Sequence, residues 1–90
     1  MIIIKDTKYS LQLLSILKYI SRDKISSAKK FEKELNQKFV NLLDFPYQYR
    51  PSFYFDDESY RDLVHQGYTV IYKVEKDRVL ILEIFKWMER

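Results

Sequence analysis

Hydrophobic and polar positions follow two rhythms along this chain, and the change from one to the other marks its elements. Ile2, Ile3 and Ile4 are β-branched and stand beside polar Lys5 and Asp6, the profile of a short first strand. From Tyr9 the period lengthens: Leu13, Ile16, Leu17 and Ile20 fall three and four apart, with Ser10, Gln12, Ser15 and Lys18 opposite them. That spacing predicts an amphipathic helix ending near Arg22. Asp23 and Ser26 can each accept a hydrogen bond from free backbone N–H groups, so a second helix is expected to begin within this stretch. It runs on through Ala28, Phe31, Leu35, Phe39 and Leu42, with Lys29, Lys30, Lys33, Glu34 and Lys38 mostly outward and Lys30 able to pair with Glu34. So short a joint sets the two helices back to back as a hairpin.

Phe45-Pro46 closes the second helix, because a residue before proline is pushed out of the helical region, and residues 44–59 read as loop. Val70, Tyr72 and Val74 then alternate with Thr69, Ile71 and Lys73, while Val79 to Phe85 is an almost unbroken apolar run. Two strands joined by the polar turn Glu75 to Arg78 follow, the last of them central with both faces covered. Tyr60 to His65 supplies a neighbouring strand, with Gly67 making the turn. The expected fold is α+β, in the order β-α-α-β-β-β, with the helix hairpin packed on one face of a small antiparallel sheet. The chain has too little left to cover the other face, so a partner or substrate is expected there.

Ninety residues give one core, so residues 1–90 are expected to form a single domain. A composition 47% hydrophobic, 32% charged and 17% aromatic is that of a folding chain. The absence of cysteine excludes disulfides and zinc-thiolate sites and agrees with a reducing cytosol. The opening Met-Ile-Ile-Ile is broken at once by Lys5 and Asp6, too short for a signal segment or a membrane span, which points to the cytoplasm. The net charge of +3 is unevenly spread: residues 1–45 hold nine Lys/Arg against five Asp/Glu, and residues 46–90 seven against eight. The basic half is the helix hairpin, a face that can attract acidic proteins or nucleic acid or simply be solvated.

Three stretches, read in order, resemble one family. They are Asp44-Phe45-Pro46-Tyr47-Gln48-Tyr49-Arg50, then Tyr60-Arg61-Asp62-Leu63, then Gly67-Tyr68-Thr69-Val70-Ile71-Tyr72-Lys73-Val74. Together with the paired helices they resemble the RelE/ParE superfamily of toxins. The resemblance covers almost the whole chain. It implies a growth-inhibiting toxin of a type II toxin-antitoxin system, held silent by a cognate antitoxin that covers the two helices and the sheet edge. One branch of that superfamily cleaves messenger RNA on the ribosome, and another inhibits DNA gyrase without being a nuclease.

Cleavage through the 2′-hydroxyl needs a proton acceptor, cations for the developing phosphorane charge and a donor for the leaving oxygen. Arg61 matches one basic strand position of the nuclease branch. Thr69 stands where that branch resembles Gly-Tyr-Arg, and near the C-terminus Lys86 is the one plausible catalytic cation. His65, the only histidine, is a general base if it lies on the open face, and otherwise a solvated residue at a strand end before Gly67. Arg61 is either catalytic or a structural partner of Asp57, Glu58 or Asp62. Arg50 is expected to anchor the loop or to meet a partner. Asp56, Asp57 and Glu58 are adjacent, the pattern of a solvated turn, so no metal is expected, and a single glycine excludes a phosphate-cradling loop; no cofactor is implied. The aromatic residues of the loop, Tyr47, Tyr49, Phe53, Tyr54, Phe55 and Tyr60, are read mainly as a roof over the core.

The reading reached is a toxin of the ParE-like branch that binds DNA gyrase. Its contacts come from the exposed sheet face and the basic hairpin residues Lys29, Lys30 and Lys33, with Arg50 and Trp87 as further partner anchors. The rival is a ribosome-dependent mRNA endonuclease using Arg61, His65 and Lys86, and a third reading is an inactive orphan that binds only its antitoxin.

Overall fold

The computed structural model describes residues 1–86. Strand β1 (Ile2–Lys5) leads straight into helix α1 (Thr7–Ser21), because the Asp6 carboxylate accepts the Lys8 N–H at 2.8 Å and caps the helix. Residues 22–24 then turn the chain into α2 (Ile25–Leu42), with the N–H groups of Asp23 and Lys24 both returning to the Ile20 carbonyl. Lys24 occupies the cap position of α2 without a side-chain bond, so neither Asp23 nor Ser26 takes the expected role. The hairpin joint is fastened by its main chain instead.

Beyond the helices come β2 (Arg50–Pro51), β3 (Tyr60–His65), β4 (Tyr68–Val74) and β5 (Arg78–Lys86). One sheet of order β1-β5-β4-β3-β2 results, with β1 parallel to β5 and every other pair antiparallel. The α+β order and the helix hairpin on the sheet are as expected. The parallel entry of β1 and the two-residue β2, inside the segment read as loop, are additions. The middle place belongs to β4, and β5 lies one strand out, between β4 and β1.

The helix-facing side of the sheet presents Leu63, Val70, Tyr72, Val74, Val79, Ile81 and Ile84 to Tyr9, Leu13, Phe31, Leu35, Phe39 and Leu42. Ile81 and Ile84 are three apart, an odd spacing that would put them on opposite faces of a regular strand. A bulge resolves this: Ile71 pairs with Glu83 but Tyr72 pairs with Ile81, so Leu82 is the extra residue and both isoleucines reach the core. Between β3 and β4, Gln66 (φ 50) and Gly67 (φ 85) make a two-residue turn with both φ positive, the geometry that suits the twist of a hairpin.

The opposite face is not bare. Asp62, Thr69, Ile71 and Phe85 point away from the helices by register, yet all four are buried. The aromatic loop folds over them because the buried Asp62 carboxylate accepts the Ser52 hydroxyl at 2.7 Å and the Phe53 N–H at 2.9 Å. Tyr54 then packs edge-on against Phe85, ring centroids 5.3 Å apart. This corrects the expectation of an uncovered sheet: what stays open on that side is Ile2, Ile4 and Val64 near its margins.

One border of the sheet is stepped. β1 stops opposite Ile81, where Asp6 N–H bonds the Ile81 carbonyl at 2.8 Å and the chain departs into α1. β5 continues to Lys86 with β4 on one side and, among the described residues, no strand on the side β1 has left, and Gln12 of α1 offers its side-chain oxygen to the Ile84 N–H at 2.8 Å.

Candidate partner-binding surface

The three residues proposed for RNA chemistry are set apart by the fold. His65 ends β3 on the helix side and is 2% exposed, its ring edge-on to Phe31 with centroids 4.7 Å apart. Its Nε2–H donates to the Phe31 carbonyl at 3.2 Å, which fixes the tautomer and leaves Nδ1 buried without a partner among the described residues. Burial first, then the Lys38 charge, hold its pKa below the usual 6.5. His65 is therefore not the solvated strand-end residue expected from its place before Gly67.

Arg61 lies on the same face at the far end of β3, about 13 Å from His65 along the strand at roughly 3.3 Å per residue. Its Nε donates to the Glu58 carbonyl at 2.9 Å and its Nη1 to the Tyr49 carbonyl at 3.2 Å, while the guanidinium stacks 4.7 Å from the Tyr47 ring centre. It clasps the loop through backbone oxygens rather than through the carboxylates of Asp57, Glu58 or Asp62. Tyr72 reinforces the clasp by donating its hydroxyl to the Pro46 carbonyl at 2.7 Å.

Lys86 ends β5, exposed, 5.9 Å from the Tyr19 ring centre, in a cleft of about 390 Å³ shared with Ser15, Ile16, Tyr19 and Tyr68. Two strand spacings of about 4.8 Å separate it from His65. Thr69 is buried on the other face, under the loop. The fold does not gather Arg61, His65 and Lys86 around one phosphate-sized hollow.

The basic partner candidates fare differently. Lys29, Lys30 and Lys33 are exposed on α2, and Glu34 beside them is engaged by Gln66 at 3.1 Å rather than by Lys30. Arg50 points its Nη2 at the buried Asp62 carboxylate, 3.7 Å away, and so belongs to the loop anchor. Trp87 lies outside the described residues.

A surface the sequence reading missed runs along the outside of the hairpin. Leu14, Leu17, Ile25 and Ala28 line an apolar groove of about 250 Å³ between the helices, with Lys18, Lys29 and Glu32 at its rim. Leu14 is 52% exposed and Ile25 67%, and Leu11 is exposed nearby. The signal was present in the sequence: Leu11 and Leu14 fall outside the stripe of Leu13, Ile16, Leu17 and Ile20, giving α1 a second apolar edge.

A family model described as the ParE toxin of type II toxin-antitoxin system, parDE, matches residues 7–89. The chain belongs to the ParE toxins. It is thus the toxin component of a type II toxin-antitoxin system, whose partner is an antitoxin, as the resemblance read from the sequence implied. In three dimensions this ParE is similar to a chain of the chromosomal ParDE system from P. aeruginosa, with a TM-score of 0.78 at 19% identity over 96% of this chain and 95% of that one. At that identity the likeness speaks for the fold. No curated protein matches the chain in sequence. Among the described residues of this ParE, no helix is long and apolar enough to cross a membrane.

Proposed function

We propose that this ParE toxin works in the cytoplasm by binding a protein target, DNA gyrase, and does not cut RNA. We further propose that its antitoxin silences it in a hetero-oligomer by covering the apolar groove of the helix hairpin. The observation that carries the first part is the state of His65. The chain's only histidine is enclosed, with Nε2–H committed to a backbone carbonyl, so it cannot exchange a proton with a bound nucleotide. Arg61 is spent on the loop, and Lys86 has no carboxylate or imidazole lining its cleft among the described residues. The groove supports the second part, being apolar along its floor and carrying Lys18 and Lys29 on its rim, the complement of an acidic amphipathic segment.

Induced expression should raise a DNA-damage response and double-strand breaks while messages stay intact, and the purified chain should inhibit gyrase supercoiling. A His65→Gln, Lys86→Ala double variant should keep its toxicity. Ribosome-dependent message cleavage by the wild type, lost in that variant, would establish the nuclease instead.

A further inference from the structure

We infer that the outer edge of β1 is the joint through which two copies of this chain pair, strand against antiparallel strand, about a twofold axis at Ile3.

Hydrogen bonds on the inner side of β1 fix which way its backbone groups point. The N–H groups of Ile2 and Asp6 turn inward to the carbonyls of Asp77 and Ile81, 3.2 and 2.8 Å away. Direction alternates along a strand, so the N–H groups of Ile3 and Lys5 turn outward, where no strand lies among the described residues. Folded proteins protect such an edge with a proline, a bulge or a charge aimed across it. β1 has neither proline nor bulge. Its one charge, Lys5, is turned to the helices, where it bonds Asn36 at 3.2 Å and lies 5.8 Å from the Phe39 ring centre.

Apolar surface flanks this edge on both faces of the sheet. Ile3 packs against the core, so Ile2, 60% exposed, and Ile4, also exposed, stand on the face away from the helices. On the helix side Val40 and Leu43 lie one and two turns beyond Asn36, on the side of α2 that meets Lys5. Both are exposed, Val40 by 53%. Because α1 starts only at Thr7, after β1 has ended, it does not reach this last stretch of α2.

Charge and register together select the occupant. An acidic segment would find a single cation here, and that one is already engaged by Asn36. A second copy set with Ile3 opposite Ile3 exchanges the outward Ile3 N–H and carbonyl in both directions, and places Ile2 of each chain directly across from Ile4 of the other. The same register puts each Lys5 opposite Met1. The two lysines then stand about 13 Å apart along the joint at roughly 3.3 Å per residue, beyond the distance of about 8 Å at which physiological salt screens charge. Above the joint the Val40 and Leu43 stripes of the two copies face each other. The groove at Leu14 and Ile25 takes no part, so the pairing is independent of the antitoxin reading.

Sedimentation of the purified toxin should show a concentration-dependent dimer with a dissociation constant of about 10 µM, the weak range that suits a joint of this size. Ile2 and Ile4 are exposed, so replacing both by glutamate, or both by lysine, should leave the melting temperature of dilute toxin unchanged and raise the dissociation constant at least tenfold. An equal mixture of the Ile2→Glu, Ile4→Glu chain and the Ile2→Lys, Ile4→Lys chain should pair as tightly as wild type, because each introduced lysine then meets a glutamate. A wild type still monomeric at millimolar concentration would overturn the pairing, as would a dimer that both double variants leave intact. A monomer whose Ile3 amide gains exchange protection only when the product of the neighbouring reading frame is added would give this edge to the antitoxin instead.

Discussion

Tyr9 is fully buried with its ring edge-on to Phe39 at 5.8 Å, and its hydroxyl has no hydrogen-bond partner among the described residues. Burial, with the Glu32 charge second, drives its pKa well above the ordinary tyrosine range, so the hydroxyl stays neutral and unserved. A buried polar group without a partner costs roughly 1–3 kcal/mol. Tyr9→Phe should therefore stabilise the toxin by about 1 kcal/mol, read as a rise in melting temperature of about 4–8 °C for a domain of this size. No rise, or a fall, would show that the hydroxyl is satisfied.

His65 gives the residue scale its pH dependence. Its pKa in the folded chain lies below the 6.5 of the free side chain, so below that pH the unfolded chain binds more protons. The stabilisation is complete above about pH 6.5 and is lost as the pH falls toward the folded-state value. Urea midpoints measured between pH 7.5 and 5 should drop on acidification in the wild type and drop less in His65→Gln, whose amide can still donate to the Phe31 carbonyl. Equal slopes would remove His65 from the account. The position could have been read from the sequence, since period two sets Arg61, Leu63 and His65 on one face. Gly67 suggested an exposed strand end instead, while the depth of that end is set by Phe31, far away in the chain.

Among the elements, α1 and α2 were legible because each carries its apolar residues at unbroken helical spacing, and the β4–β5 hairpin because both strands are strongly apolar. The segment 44–59 was not, since its order comes from one distant carboxylate. Asp62 fastens Ser52, Phe53 and Arg50, and nothing in the local pattern marks an aspartate inside a strand as a buried anchor. Asp62→Ala should cost about 2–3 kcal/mol, the scale of losing hydrogen bonds to a charged group. It should also open residues 52–55 to limited proteolysis while the helix hairpin stays protected. A stable variant with a protease-resistant loop would mean that Tyr54 on Phe85 suffices. The bulge at Leu82 was equally hidden, because it shows only when β5 is laid against β4.

For the whole molecule, the sequence reading was right about the layers and wrong about which surface is left over. The loop closes much of the sheet face, and an apolar groove that was not expected lies outside the hairpin at Leu14 and Ile25. Leu14→Glu removes no core contact, so its stability should change by no more than about 0.5 kcal/mol. The same change should let the toxin arrest growth even when its antitoxin is co-expressed. Full neutralisation of that variant would place the antitoxin elsewhere.

The two borders of the sheet also differ in a way that governs self-association. Pro51 has no N–H to give, β2 is two residues long, and Lys38 takes the Val64 carbonyl of β3 beyond it, so that side is a poor template for another molecule, while β1 is a better one. Filaments need each subunit to be adhesive at both ends. With one adhesive rim, copies that meet rim to rim close as a symmetric pair and growth stops there.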